Sequence, residues 1–206
     1  MPNSDPPRYP SIRTGRLSRR AFVRSTTAGA IAALALRTRA SSADDFQVEA
    51  IDAHTHFYDP TRPQGVPWPS KSDPLLYRPV LPDEFKKLTR EQHVSGTIVI
   101  EASTWLEDNQ WLLDLASREP FIVGLVGRLD STSEDFAKHL ARFAKNRVFR
   151  GIRVNHDELK AALGRKAQRE RLRLLVEADR ELDVNGGPEM PADVARLARD
   201  MPDLRI

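Results

Sequence analysis

Asp52, His54 and His56 stand at two-residue intervals in Ala50-Ile51-Asp52-Ala53-His54-Thr55-His56-Phe57. Residues two apart on a strand point to the same side. The segment begins apolar and ends polar, so two imidazoles leave one strand end together, with a carboxylate below them. Neutral imidazole nitrogens bind zinc or a similar ion. The same pair can instead hydrogen bond to a substrate carbonyl or carboxylate. Asp52 is placed to orient an imidazole from behind or to anchor the adjoining loop.

Such a site needs groups from several elements, and five more candidates lie at predicted strand ends or loops. Glu101 ends an apolar strand. Arg153 lies between Ile152 and Val154 and faces opposite to them, where a guanidinium can clamp a substrate carboxylate or form an ion pair. Asn155 shares that face, nearer the strand end. Asn185 precedes Gly186 and Gly187, which permit a tight turn or a close approach of substrate to backbone. Trp68 stands in a proline-rich connection and can pack over a substrate.

The elements that position these groups alternate. Strands are expected at residues 48–56, 94–101, 121–129, 149–155 and 182–185, with the opening of a sixth at 204–206. Helices are expected at 83–91, 108–118, 133–145, 157–181 and 192–199, with Gly164 a candidate break in the fourth. Residues 60–82 form a connection long enough to be a functional cover. Strand–helix alternation argues for a parallel sheet, either a barrel or an open doubly wound sheet. Histidines, not a glycine-rich phosphate loop, follow the first strand, which weakens the dinucleotide-binding alternative. A complete eight-unit barrel takes about 250 residues. Five units and the start of a sixth are expected here, the N-terminal part of such a barrel.

Residues 1–43 read as an export signal, not as part of the fold. Ser18-Arg19-Arg20-Ala21-Phe22-Val23 is a twin-arginine pattern, followed by an apolar run over 28–36 and by Ala40-Ser41-Ser42-Ala43. The expectation is cleavage after Ala43 and a periplasmic or secreted product. The apolar run is too short for a stable membrane anchor. The leader also accounts for the basic composition. It carries eight arginines and one aspartate, against a whole-chain net of +3, which leaves −4 for residues 44–206. No basic patch argues for nucleic acid. The chain contains no cysteine, so disulfides and thiolate metal sites are excluded.

Ile51-Asp52-Ala53-His54-Thr55-His56-Phe57 resembles the opening motif of the amidohydrolase superfamily. Within it, Phe57-Tyr58-Asp59-Pro60 and Pro67-Trp68-Pro69 look most like the lactonase branch of the amidohydrolase-related group. Phe149-Arg150-Gly151-Ile152-Arg153 and Pro202-Asp203-Leu204-Arg205-Ile206 resemble later stretches of the same family. The resemblance implies a (β/α)8 TIM barrel and a small-molecule substrate such as a sugar lactone, opened by attack of water. It also implies that His54 and His56 hold one divalent metal, zinc or similar. Lactonases of the group that work without a metal keep a metal-free mechanism open. Asn155 lies near the place where binuclear members carry a carboxylated lysine, so a binuclear centre is not expected. Decarboxylation and amide hydrolysis use similar scaffolds. The competing reading is an inactive partial barrel with a binding or assembly role. Its open sheet edges would promote self-association.

Overall fold

A computed structural model describes residues 50–206. The expected export signal lies outside the described residues. The elements run β1 (Ala50–Thr55), α1 (Pro82–Leu88), β2 (Val94–Ile100), α2 (Leu106–Arg118), β3 (Ile122–Gly127), α3 (Phe136–Phe143), β4 (Phe149–Asn155), α4 (His156–Gly164), α5 (Lys166–Glu177), β5 (Glu181–Asn185) and α6 (Met190–Asp200).

The five strands are parallel and lie in chain order, β1-β2-β3-β4-β5. A doubly wound sheet reverses direction at a switch point; this one does not. Parallel strands laid down in chain order curl into an arc of a barrel. Arg153 Nη2 on β4 comes within 3.3 Å of His54 Nε2 on β1, which puts both side chains on the concave face.

The helices cover the convex face. Leu125, Phe149, Ile152 and Leu182 from the strands pack with Phe136, Phe143, Leu159, Leu172, Leu175 and Leu197 from the helices, all essentially inaccessible. Each such side chain contributes roughly 1.5–3 kcal/mol on burial. Phe143 stacks on Phe149 with ring centroids 5.7 Å apart. Gly151 lets β4 and β5 approach closely, because a Cβ there would stand 2.2 Å from the Glu181 carbonyl oxygen.

The structure corrects several expected boundaries. The helix expected over 157–181 does break next to Gly164, at Arg165, whose backbone is extended at φ −125° and ψ 123°, but its second half, α5, ends at Glu177. The third helix begins at Phe136 instead of Ser133. Ser133 Oγ accepts from the Asp135 backbone N–H at 3.2 Å, in a turn that precedes the helix. Residues 204–206 are not an assigned strand, but the Leu182 N–H donates to the Arg205 carbonyl at 2.9 Å, one strand-like rung beside β5. No helix among the described residues is long and apolar enough to cross a membrane.

Candidate functional site

The C-terminal ends of the strands bring His54, His56, Glu101 and Arg153 to one region and add two groups that sequence reasoning missed, Arg128 and Asp183. His54 and His56 meet edge to face, with ring centroids 5.1 Å apart. Their hydrogen bonds determine their tautomers. The Ile100 carbonyl can only accept, so His56 Nδ1, 3.0 Å away, donates to it. His56 Nε2 is thereby left with its lone pair. Burial lowers the His56 pKa from its ordinary value, against the pull of the Ile100 carbonyl and with help from the Arg153 charge, which favours the neutral ring. A guanidinium can only donate, so His54 Nε2 accepts from Arg153 Nη2 at 3.3 Å.

Arg153 is held from its other side. Its Nε donates to Asp183 Oδ2 at 2.5 Å, across the rung that pairs Arg153 with Asp183 in the β4–β5 register. Arg128 follows β3 and donates to the Arg153 carbonyl at 2.9 Å and to Glu158 Oε1 at 2.9 Å. The buried side chain of Asn109 locks that strand end: it bonds to both the N–H and the carbonyl of Arg128, each at 2.8 Å. Glu101 accepts from the Ser103 N–H at 3.0 Å. Burial pushes its carboxyl up to about 7, against the opposing pull of Arg128 and Arg153.

The remaining candidates divide. Trp68 packs against His56 in a T-shaped arrangement, with centroids 5.9 Å apart, and against Tyr58 at 5.3 Å. Asn185 is exposed at the end of β5, opposite Asn155 in register. Asp52 Oδ1 accepts from the His54 backbone N–H at 2.9 Å; it braces the strand end through the main chain and does not touch an imidazole there. Asn155 caps α4. Its Oδ1 accepts from the Glu158 N–H and Glu158 Oε2 accepts from the Asn155 N–H, each at 2.9 Å, a reciprocal capping box. That contact commits the Asn155 oxygen to the helix.

The two imidazoles alone do not make up a metal's ligand set. Zinc takes four ligands, three from protein at a catalytic site. Among the described residues no group of three or more histidine, cysteine or acidic side chains converges on one point. Of the two imidazoles, His54 has its Nε2 turned to a guanidinium, a cation where another cation would bind. Only His56 Nε2 stands ready.

A parallel barrel arc with its polar groups gathered at the strand C-termini defines the TIM-barrel class. The Amidohydrolase family model matches residues 51–206, and the chain belongs to that family. Over 103 residues it is 36% identical to an L-fucono-1,5-lactonase of Burkholderia ambifaria, a stretch covering 50% of this chain and 35% of that enzyme. A second L-fucono-1,5-lactonase, from Burkholderia multivorans, is 30% identical over 103 residues, 50% of this chain and 34% of its own length. The chain thus spans about a third of the curated relatives it matches. Among solved structures, a Burkholderia multivorans amidohydrolase with bound zinc superposes with a TM-score of 0.65 at 24% identity, over 75% of this chain and 55% of that one. A probable 2-pyrone-4,6-dicarboxylic acid hydrolase from Acinetobacter baumannii, with citric acid bound, gives 0.55 at 17% identity, over 76% and 55%. These two likenesses concern the fold.

Proposed function

We propose that the protein hydrolyses a cyclic ester, a 1,5-lactone of a sugar acid, at the strand C-termini. The observation that carries the reading is His56: Nδ1 is tied to a main-chain carbonyl, Nε2 has no hydrogen-bond partner among the described residues, and burial favours the neutral ring. A neutral imidazole so held is a general base. His56 Nε2 takes a proton from water as the water oxygen bonds to the lactone carbonyl carbon. The Arg153 guanidinium, aimed by His54 and Asp183, faces the oxyanion that forms. Collapse of that intermediate breaks the ring C–O bond. Glu101 retains a proton near neutrality and passes it to the departing ring oxygen. Trp68 offers an indole face to the sugar ring, and Asn185 an amide to its hydroxyls.

The substrate preference follows from charge. Arg153 is matched by Asp183 at 2.5 Å and Arg128 by Glu158 at 2.8 Å. Each guanidinium is already compensated, which favours a neutral lactone over a dicarboxylate. The name L-fucono-1,5-lactonase, carried by the two Burkholderia relatives, supports the same choice. A metal bound through His54 Nε2 would displace Arg153 from that nitrogen, and no step here uses a metal.

Hydrolysis of L-fucono-1,5-lactone, followed by acid release, tests the reading. The full-length protein is expected to accelerate ring opening, and His56→Asn to lower kcat/KM by about 10²–10⁴-fold. Equal rates with wild type and variant would remove His56 from the reaction.

We further propose that residues 1–43 direct export by the twin-arginine route. The support is the Arg19-Arg20 pattern and the apolar run behind it.

A further inference from the structure

We propose that Arg62 and Asp108 are positioning residues that hold Trp68 against His56. Arg62 lies in the cover between β1 and α1, and Asp108 in the first turn of α2. The two side chains form a fork-to-fork pair, Nη1 to Oδ1 at 2.9 Å and Nη2 to Oδ2 at 3.2 Å, with only 9% and 10% of their surfaces exposed. The pair sits under the cover, with Arg62 Cζ 4.4 Å above the Trp111 ring of α2.

The same guanidinium gathers the loop around itself. Nε donates to the Asp59 carbonyl at 3.2 Å and Nη2 to the Gly65 carbonyl at 3.3 Å. Gly65 has φ +69°, a left-handed conformation that glycine adopts without strain. Asp59 is fixed in turn by its bonds to the Thr61 N–H and hydroxyl, at 2.9 and 2.6 Å. One planar cation therefore ties two points of a single turn to a rigid helix. Trp68 follows Gly65 by three residues, and its ring contacts His56 and Tyr58. A lysine cannot replace this cation, because a point charge on a flexible stem lacks the fork.

The consequence for turnover rests on the lactonase reading above, but the positioning claim does not. Histidine-ring ¹³C NMR of the full-length protein, at about pH 8.5 where imidazoles are neutral, reads the placement directly. The His56 Cε1–Hε1 resonance feels the Trp68 ring current. Trp68→Ala is expected to move it. Arg62→Lys and Asp108→Asn should move it in the same direction, and Arg62→Lys should add nothing in a Trp68→Ala background. With lactone, Arg62→Lys and Trp68→Ala should raise KM together and non-additively. An unmoved His56 resonance in Arg62→Lys, or additive shifts, would overturn the proposal. Loss of the dispersed spectrum in both Arg62→Lys and Asp108→Asn would make the pair a folding element and overturn it equally. Absence of turnover in the wild type, with the resonance shifts as expected, would count against the lactonase reading alone.

Discussion

Burial acts in opposite directions on two groups of the site. It lowers the pKa of His56 and pushes Glu101 up to about 7, so near neutrality one carries a free lone pair and the other still retains a proton. That pairing of a base with an acid is what ring opening by water needs. It also predicts a pH dependence. The folded-state pKa of Glu101 lies above its ordinary value, so its contribution to stability is present below pH 4.5 and is lost as pH rises through about 7. Glu101→Gln removes that loss. In denaturant titrations the wild type should fall relative to the variant as pH rises across this window; a constant difference would contradict the burial of Glu101. The histidine pair is legible in the sequence because period two places both rings on one side of a strand. Arg128 and Asp183 are not. They are common charged residues, and their partners Glu158 and Arg153 lie 30 residues away. An inward-facing arginine on β4 hints at a carboxylate beside it, but only the β4–β5 register identifies Asp183.

Among the elements, α4 shows how an expected site residue turns out to be a structural one. Asn155 stands at a strand C-terminus, where barrel site residues gather, and the next residue begins a helix with no intervening loop. The free N–H groups of that helix engage its side chain. Asn155→Ala should therefore cost about 0.5–2 kcal/mol of stability and leave KM for the lactone close to wild type. Thermal unfolding and steady-state kinetics separate the two effects, and a large rise in KM without loss of stability would return Asn155 to the substrate site. The strands and their order of appearance are visible from apolar runs and alternation. The division of α4 from α5 is carried only by Gly164 before Arg165, within an otherwise continuous helical pattern. The packing of the cover is not visible at all, because Arg62 and Asp108 are 46 residues apart and each alone reads as a solvated charge.

Across the described residues, chain-ordered parallel strands, the His54–Arg153 contact on one face and the family match over residues 51–206 agree on one arc of an amidohydrolase barrel. The proposed leader belongs to this scale as well, since export would decide where the folded arc works. Replacing Arg19 and Arg20 together by lysine should hold the precursor in the cytoplasm. N-terminal sequencing of the exported wild type should begin near Asp44; export of the double-lysine variant through the same route would contradict the signal. The His54–Arg153 contact joins β1 to β4, and the proposed chemistry depends on that meeting. The most direct test is therefore the rate of acid release from L-fucono-1,5-lactone at neutral pH, with wild type and His56→Asn compared at equal folded concentration. The account predicts clear acceleration by the wild type and a loss of about 10²–10⁴-fold in the variant; a wild type no faster than the variant would contradict it.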